Sequence, residues 1–323
     1  MHQFHPICAG YWKKGPATEE NKREFKQKQM KTALIIAIII SLLTIILFII
    51  ERLIFTPFKG TAKSWLHHSD YNGRHVVFKS KYNKLNGWFY GENNACSKGL
   101  VIFSHGMGVT SEYYLPEILC YAEAGYKVFA FDNTGYGTNK GQFLGFSKAV
   151  RDLKHAIDYA DDGTLPVTLI GHSMGGYAVC CVLKYLNPSI HNIKNIVTYA
   201  APDNLPEVAL GFLNAQGSFI RTLAAKILCF GQFLLHGTSA YLKASDMVDK
   251  NQRIQFIMIH GDKDDEIDID TASLISKDYT SPNVTKIIIS DPGLNTHMGV
   301  VRKNGMATNG INKEIVERIM EKL

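Results

Sequence analysis

Cysteine is scarce in this chain: six in 323 residues, with no C-x-x-C pair. A tetrahedral zinc site or a dithiol redox centre needs that kind of spacing, so neither is expected. Five of the six, Cys96, Cys120, Cys180, Cys181 and Cys229, lie beyond residue 50, an odd number without framework spacing. That argues against a disulfide-built domain. Charge is modest too, with 20% charged residues and a formal net charge of +6. No nucleic-acid-binding signature accompanies the excess, so no nucleic-acid partner is expected. Internal repeats and low-complexity tracts are absent. With 46% hydrophobic residues the composition is that of a folded chain, long enough for one large core.

Uncharged apolar sequence is concentrated in one place. Thr32 to Ile50 reads TALIIAIIISLLTIILFII, 19 residues without a charge. About 20 such residues cross a bilayer core as a helix. A secretory signal has a shorter apolar region and a small-residue cleavage site, whereas here Glu51-Arg52-Leu53-Ile54-Phe55 follows. The expectation is an uncleaved signal anchor over 32–50, with the bilayer as a partner. Seven cations precede it (Lys13, Lys14, Lys22, Arg23, Lys26, Lys28, Lys31), and three follow within twenty residues (Arg52, Lys59, Lys63). By the positive-inside rule, residues 1–31 face the cytoplasm and the bulk of the chain lies across the membrane. Residues 51–73 read as a linker broken at Pro57, and 74–323 as the main domain.

From residue 74 short strands alternate with helices. Val76-Val77-Phe78 and Gly87-Trp88-Phe89-Tyr90 read as an antiparallel pair turning at Lys84-Leu85-Asn86. Buried strands follow at 99–103, 126–131, 166–170, 193–199, 254–259 and 286–289, with helices at 113–124, 146–161 and 312–323. That rhythm implies an α/β fold: a mostly parallel sheet covered on both faces. Between about 203 and 252 no strand is visible, only apolar helical sequence. This reads as a helical cap insertion over the carboxyl edge of the sheet, where ligands bind in open α/β folds; ordinary core helices are the alternative.

The most informative stretch is Pro166-Val-Thr-Leu-Ile-Gly171-His172-Ser173-Met174-Gly175-Gly176. A β-branched run breaks into G-x-S-x-G and a helical segment follows, the order of a nucleophile elbow that lifts a serine hydroxyl above a sheet. Gly171 and Gly175 allow an approach too close for a Cβ. Serine needs a base to take its proton and an acid to orient that base. In the order Ser, acid, His, the base is His297, in a loop past the last strand. The acid follows the preceding strand in His260-Gly-Asp262-Lys-Asp264-Asp265-Glu266, with Asp264 first choice, then Asp265, then Asp262. Glu266, Asp268 and Asp270 read as a solvated helix start; the cluster lacks the glycine and spacing of an EF-hand. The backbone N–H groups of Met174 and of Met107, in Ser104-His105-Gly106-Met107-Gly108, are the candidate oxyanion donors.

With these residues in place, the chain resembles the α/β-hydrolase superfamily over roughly residues 74–323, and within it the serine aminopeptidases, monoacylglycerol lipases and lysophospholipases. Four landmarks match in order: Ser104-His-Gly-Met-Gly, Phe131-Asp-Asn-Thr-Gly-Tyr-Gly-Thr, Gly171-His-Ser-Met-Gly-Gly and His260-Gly-Asp-Lys-Asp264. The second departs from the family's Arg-Gly-His-Gly, with Thr134-Gly-Tyr136-Gly in its place. The resemblance implies Ser173 as nucleophile, Asp264 as acid and His297 as base, with no metal or organic cofactor. An ester with a lipid or other apolar acyl part is the expected substrate, from the apolar cap (Phe219, Leu223, Ile227, Phe230, Phe233, Leu234) and the tether. An amidase or aminopeptidase is the second reading, and a catalytically idle binding protein the third.

Overall fold

The computed structural model of the chain describes residues 18–56, 66–92, 97–215, 217–305 and 310–323. Lys13, Lys14, Pro57, Lys59, Lys63 and Cys96 lie outside the described residues. The chain divides into two units, 1–49 and 50–323.

In the first unit helix α1 begins at Glu19 and runs to Phe55. It is longer at both ends than the apolar run, because the Glu, Lys and Gln residues before Thr32 are themselves good helix formers. From Leu34 to Ile50 nearly every large apolar side chain is exposed. A helix apolar all round is suited to lipid, and this one is long and apolar enough to span a bilayer. Residues 51–55, read from sequence as linker, continue the helix into the second unit. There Glu51 and Phe55 are buried, and Glu51 Oε2 accepts from Gln232 Nε2 at 2.5 Å.

The second unit is an eight-stranded sheet. Its strands are β1 (Arg74–Ser80), β2 (Asn83–Tyr90), β3 (Leu100–Ser104), β4 (Lys127–Phe131), β5 (Val167–His172), β6 (Ile193–Tyr199), β7 (Gln255–Gly261) and β8 (Val284–Ile289), in the order β1-β2-β4-β3-β5-β6-β7-β8. Only β1–β2 and β2–β4 pair antiparallel. Strand alternation sorts side chains to two cores. Ile102, Phe129, Leu169, Ile196 and Phe256 face α3 (Phe146–Ala160) and α4 (Met174–Cys181). Val101, Phe103, Val128, Ile170 and Ile257 face α2 (Leu115–Glu123) and α8 (Lys313–Met320). Covered on both sides, β3 and β5 are buried at every position.

The hairpin turn is not at Lys84–Asn86 but at Lys81–Tyr82, where Ser80 pairs with Asn83 and Lys81 adopts φ 56°. Polar Lys84 and Asn86 suggested a turn, yet they flank fully buried Leu85, the in–out alternation of a half-covered strand. No helix starts at Glu266–Asp270; Asp268 closes a turn by accepting from Thr271 N at 2.8 Å.

Between β6 and β7 lie α5 (Leu205–Phe212), α6 (Phe219–His236) and α7 (Ala244–Lys250). This segment joins the helix after the elbow, with Tyr177 Oη donating to the Leu242 carbonyl at 3.1 Å. Ala225 and Cys229 of α6 pack inward, but the large apolar positions expected to form the cap do not. Phe219 is 83% exposed and Phe230 52%, and Leu223, Ile227, Phe233 and Leu234 are also exposed. A cleft of about 610 Å³ lined by Pro188, Asn192, Lys194, Asp249 and Arg253 opens at the amino ends of β6 and β7, the edge opposite the elbow.

Candidate active site

Ser173 sits between the end of β5 and the start of α4 at φ 53°, ψ −120°. Non-glycine residues avoid this region, at a cost of about 1–3 kcal/mol, and the surroundings hold it there. Ser173 N donates to the Tyr199 carbonyl at 2.8 Å, and its own carbonyl accepts from Tyr177 N at 3.0 Å. Both elbow glycines are required sterically: a Cβ on Gly171 would lie 2.3 Å from Gly175 backbone, and one on Gly175 2.1 Å from the Ser104 carbonyl oxygen. The elbow is thereby pressed onto the end of β3, whose following loop carries Met107.

All three candidate acids reach the loop that bears His297, each differently. Asp264 meets the imidazole, its two oxygens 3.0 and 2.9 Å from Nδ1. Asp265 instead accepts from the His297 backbone N–H at 3.3 Å. Asp262 accepts from the Asn295 side chain at 2.7 Å. Loop contact is close enough that a Cβ on Gly261 would lie 2.1 Å from the Asn295 carbonyl oxygen. Burial pushes the Asp264 carboxyl up, but donation from His260 and His297 outweighs it and holds the group well below the usual carboxylate range. Burial likewise opposes charge on the His297 ring. The Asp264 carboxylate overcomes that and raises the imidazole above its ordinary value.

Asp264 and His297 are thus brought into contact. Among the described residues no hydrogen bond joins Ser173 Oγ to the ring, whose Nε2 faces Glu266 Oε2 at 3.6 Å. Contacts of this kind commonly tighten only with substrate present. The two loops still adjoin at neighbouring residues: the His172 ring is centred 4.8 Å from that of His297. Met174 is buried and Met107 is 42% exposed. Neither backbone N–H donates to a protein group among the described residues.

Three residues whose side chains sequence reading gave no role shape the loop after β3. His105 Nδ1 donates to the Gly106 carbonyl at 2.7 Å, leaving Nε2 to accept from Asn133 N at 3.0 Å. Tyr136, at the departure from the family's usual pattern, packs edge-on against His105 and accepts from Gly108 N at 3.4 Å. Tyr114 accepts from Gly106 N at 3.2 Å. For Tyr114 and Tyr136 the only sequence signal is aromaticity near a motif, which serves core packing equally well.

A family model described as serine aminopeptidase, S33, matches residues 95–255. Mouse monoglyceride lipase is 30% identical over 148 residues, 44% of this chain and 45% of that protein. The human monoglyceride lipase is 35% identical over 92 residues, 27% of this chain and 30% of that one. The chain therefore spans less than half the length of these curated relatives. Among solved structures, an esterase of Pyrococcus furiosus superposes with a TM-score of 0.58 at 18% identity, covering 81% of this chain and 94% of that one. Est1E of Butyrivibrio proteoclasticus, solved with ferulic acid bound, gives 0.57 at 20% identity, covering 76% and 98%. The strand order, the strained serine turn and these likenesses agree, and the chain has the α/β-hydrolase fold.

Proposed function

We propose that this chain is a serine hydrolase that cleaves carboxylic esters with a lipid-like or other apolar acyl part, tethered to a bilayer through residues 32–50. One observation carries the chemistry: a serine held at φ 53° shares a sheet edge with a buried imidazole whose Nδ1 is fixed by Asp264. Nδ1 donates to the carboxylate, so Nε2 is left as the basic nitrogen. Ser173 Oγ attacks the acyl carbon as its proton passes to His297 Nε2. The carbonyl oxygen takes the negative charge, against the N–H groups of Met107 and Met174. Collapse expels the alcohol, which takes the proton from His297, and leaves an acyl-serine. Water then attacks, giving its proton to the same nitrogen; collapse breaks the bond from the acyl carbon to Oγ, Ser173 takes the proton back from His297, and the acid is released.

The apolar character of the substrate is supported by the exposed face of α6 and by the uncovered apolar length of α1. Tethering places the catalytic part on the extracytoplasmic side by the distribution of Lys and Arg. Alkaline extraction tests the tether: the full chain stays in the pellet, and a chain starting after residue 50 leaves it. Protease shaving of intact cells tests the side.

A fluorophosphonate probe tests the chemistry. Label should map to Ser173 and vanish in Ser173→Ala, with ester hydrolysis reduced on the order of 10⁴-fold or more. Folded protein that takes no label at Ser173 overturns the reading. The matched family model carries the name of an aminopeptidase, so aminoacyl-arylamides belong in the same assay. Faster turnover of the arylamides than of aryl esters replaces the ester reading with the amidase one.

A further inference from the structure

His172, directly before the proposed nucleophile, is buried, and both of its ring nitrogens are engaged. Nε2 lies 3.0 Å from the His297 carbonyl oxygen. A carbonyl only accepts, so Nε2 carries the proton. Nδ1 of the neutral ring must then accept, and it lies 2.8 Å from Tyr114 Oη. The phenol therefore donates to His172, which leaves its oxygen lone pairs for the Gly106 N–H at 3.2 Å. Three hydrogen bonds run in one direction: Gly106 N–H to Tyr114 Oη, Tyr114 O–H to His172 Nδ1, and His172 Nε2–H to the His297 carbonyl.

This chain touches each segment the proposed reaction needs. Gly106 begins the loop that presents Met107, His172 begins the elbow, and His297 carries the base. Packing leaves little slack, since a Cβ on Gly106 would lie 2.9 Å from His172 Nδ1 and 3.1 Å from Tyr114 Oη. We propose that His172 and Tyr114 are positioning residues that hold the oxyanion loop and the base-bearing loop in register with Ser173; this rests on the roles proposed above for Ser173 and His297. The direction of the chain survives only while His172 is neutral. Burial, assisted by the neighbouring His297, holds its pKa down to about 3. Charge thus accumulates on His297 and not on the ring 4.8 Å away.

The test uses the full chain in lipid nanodiscs and compares His172→Gln, His172→Asn and Tyr114→Phe with wild type. The glutamine amide nitrogen reaches about as far as imidazole Nε2 and keeps a donor for the His297 carbonyl. Asparagine ends short of it. The readouts are the rate of fluorophosphonate labelling, kcat and KM on an aryl ester, and the thermal midpoint. His172→Gln should keep kcat within about 5-fold, and His172→Asn should lose about 30- to 100-fold, with KM moving less than about 3-fold, the pattern of misplaced groups. Tyr114→Phe should lose about 10-fold in kcat, since it releases the Gly106 N–H and the donor to His172 Nδ1 but leaves His172 Nε2 on the His297 carbonyl. If His172→Asn does not fold, Tyr114→Phe decides alone: kcat falling with KM unchanged supports the proposal, and unchanged kcat overturns it. Equal losses in Gln and Asn, losses confined to KM, or losses that track the thermal midpoint overturn it as well. Wild type that takes no label at Ser173 removes the nucleophile reading and this proposal with it, whereas labelled wild type with any overturning pattern removes this proposal alone.

Discussion

His260 and Asp264 meet across one buried turn: His260 Nε2 lies 3.0 Å from Asp264 Oδ2, the same oxygen that receives His297 Nδ1 at 2.9 Å. The His260 proton sits between that oxygen and the Ile267 carbonyl, 3.1 Å away, so the ring serves the carboxylate and its turn together. Asp264 Oδ1 also accepts from the backbone of Glu266 and Ile267 at 2.9 and 2.8 Å. Replacing His260 by Phe removes one donor from a carboxylate that keeps several others. Expected outcomes are a loss of about 1–3 kcal/mol in unfolding free energy and a kcat about 10-fold lower. Unchanged kcat in a folded variant would show that Asp264 is oriented without His260.

The pH profile follows from the raised pKa of His297. In the proposed mechanism the neutral ring is the base, so activity is lost as pH falls through that pKa. Because Asp264 lifts the ring above its ordinary 6.5, the acid limb of kcat/KM should have its midpoint above 6.5. Asp264→Asn removes the larger part of the lift and leaves only Glu266 and Asp265 to oppose burial. Its residual activity should show the limb shifted to lower pH than in wild type, with kcat lower by about 10⁴-fold. A profile from about pH 5 to about pH 9 checks both, and a wild-type limb below 6.5 contradicts the pairing.

Gly175→Ala tests how tightly the elbow is pressed onto β3. The new methyl would lie 2.1 Å from the Ser104 carbonyl oxygen and 2.8 Å from that of His105, both backbone atoms. Relief requires the strand end or the elbow to move, costing about 1–3 kcal/mol of stability and slowing fluorophosphonate labelling. Gly211→Ala in α5 is the matched control. Its Cβ meets nothing within 4 Å, so it should stabilise the helix by about 0.5–1 kcal/mol and leave labelling unchanged.

The sequence disclosed most where one physical cause dominates. Strands β3 to β7 were legible because their apolar runs are covered on both faces, β8 from Ile287 to Ile289 although Ile288 is exposed, and the elbow because its glycines answer a steric demand. Asp264 stood first among three acids, but only coordinates show Asp265 spent on a backbone N–H and Asp262 on Asn295. The hairpin turn was misplaced because Lys84 and Asn86 mark a solvent face as readily as a turn. The roles of His172 and Tyr114 were illegible. Each depends on a contact across at least 58 residues of chain, and local pattern carries no record of such a contact.

Glu117 and Arg302 form an ion pair between α2 and the segment after His297, with side-chain exposures of 2% and 0%. Arg302 Nε donates to Glu117 Oε1 at 3.0 Å, and the guanidinium lies 4.6 Å over the Tyr113 ring. Arg302→Met removes the cation and leaves Glu117 buried opposite a thioether. At neutral pH this should cost about 3–5 kcal/mol, chiefly the penalty of an uncompensated carboxylate. Burial already raises the Glu117 pKa against the pull of Arg302, and without Arg302 it rises further. A raised acid matches the fold best when protonated, so the deficit is smallest below its unfolded pKa and grows as pH climbs through the folded one. Unfolding midpoints of wild type and variant should therefore converge as pH is lowered. The Glu117→Met, Arg302→Met double variant should recover most of the loss at every pH, because neither charge is then left unpaired. A deficit that is the same in acid and base, or a double variant no better than the single, would assign the cost to lost packing over Tyr113 instead.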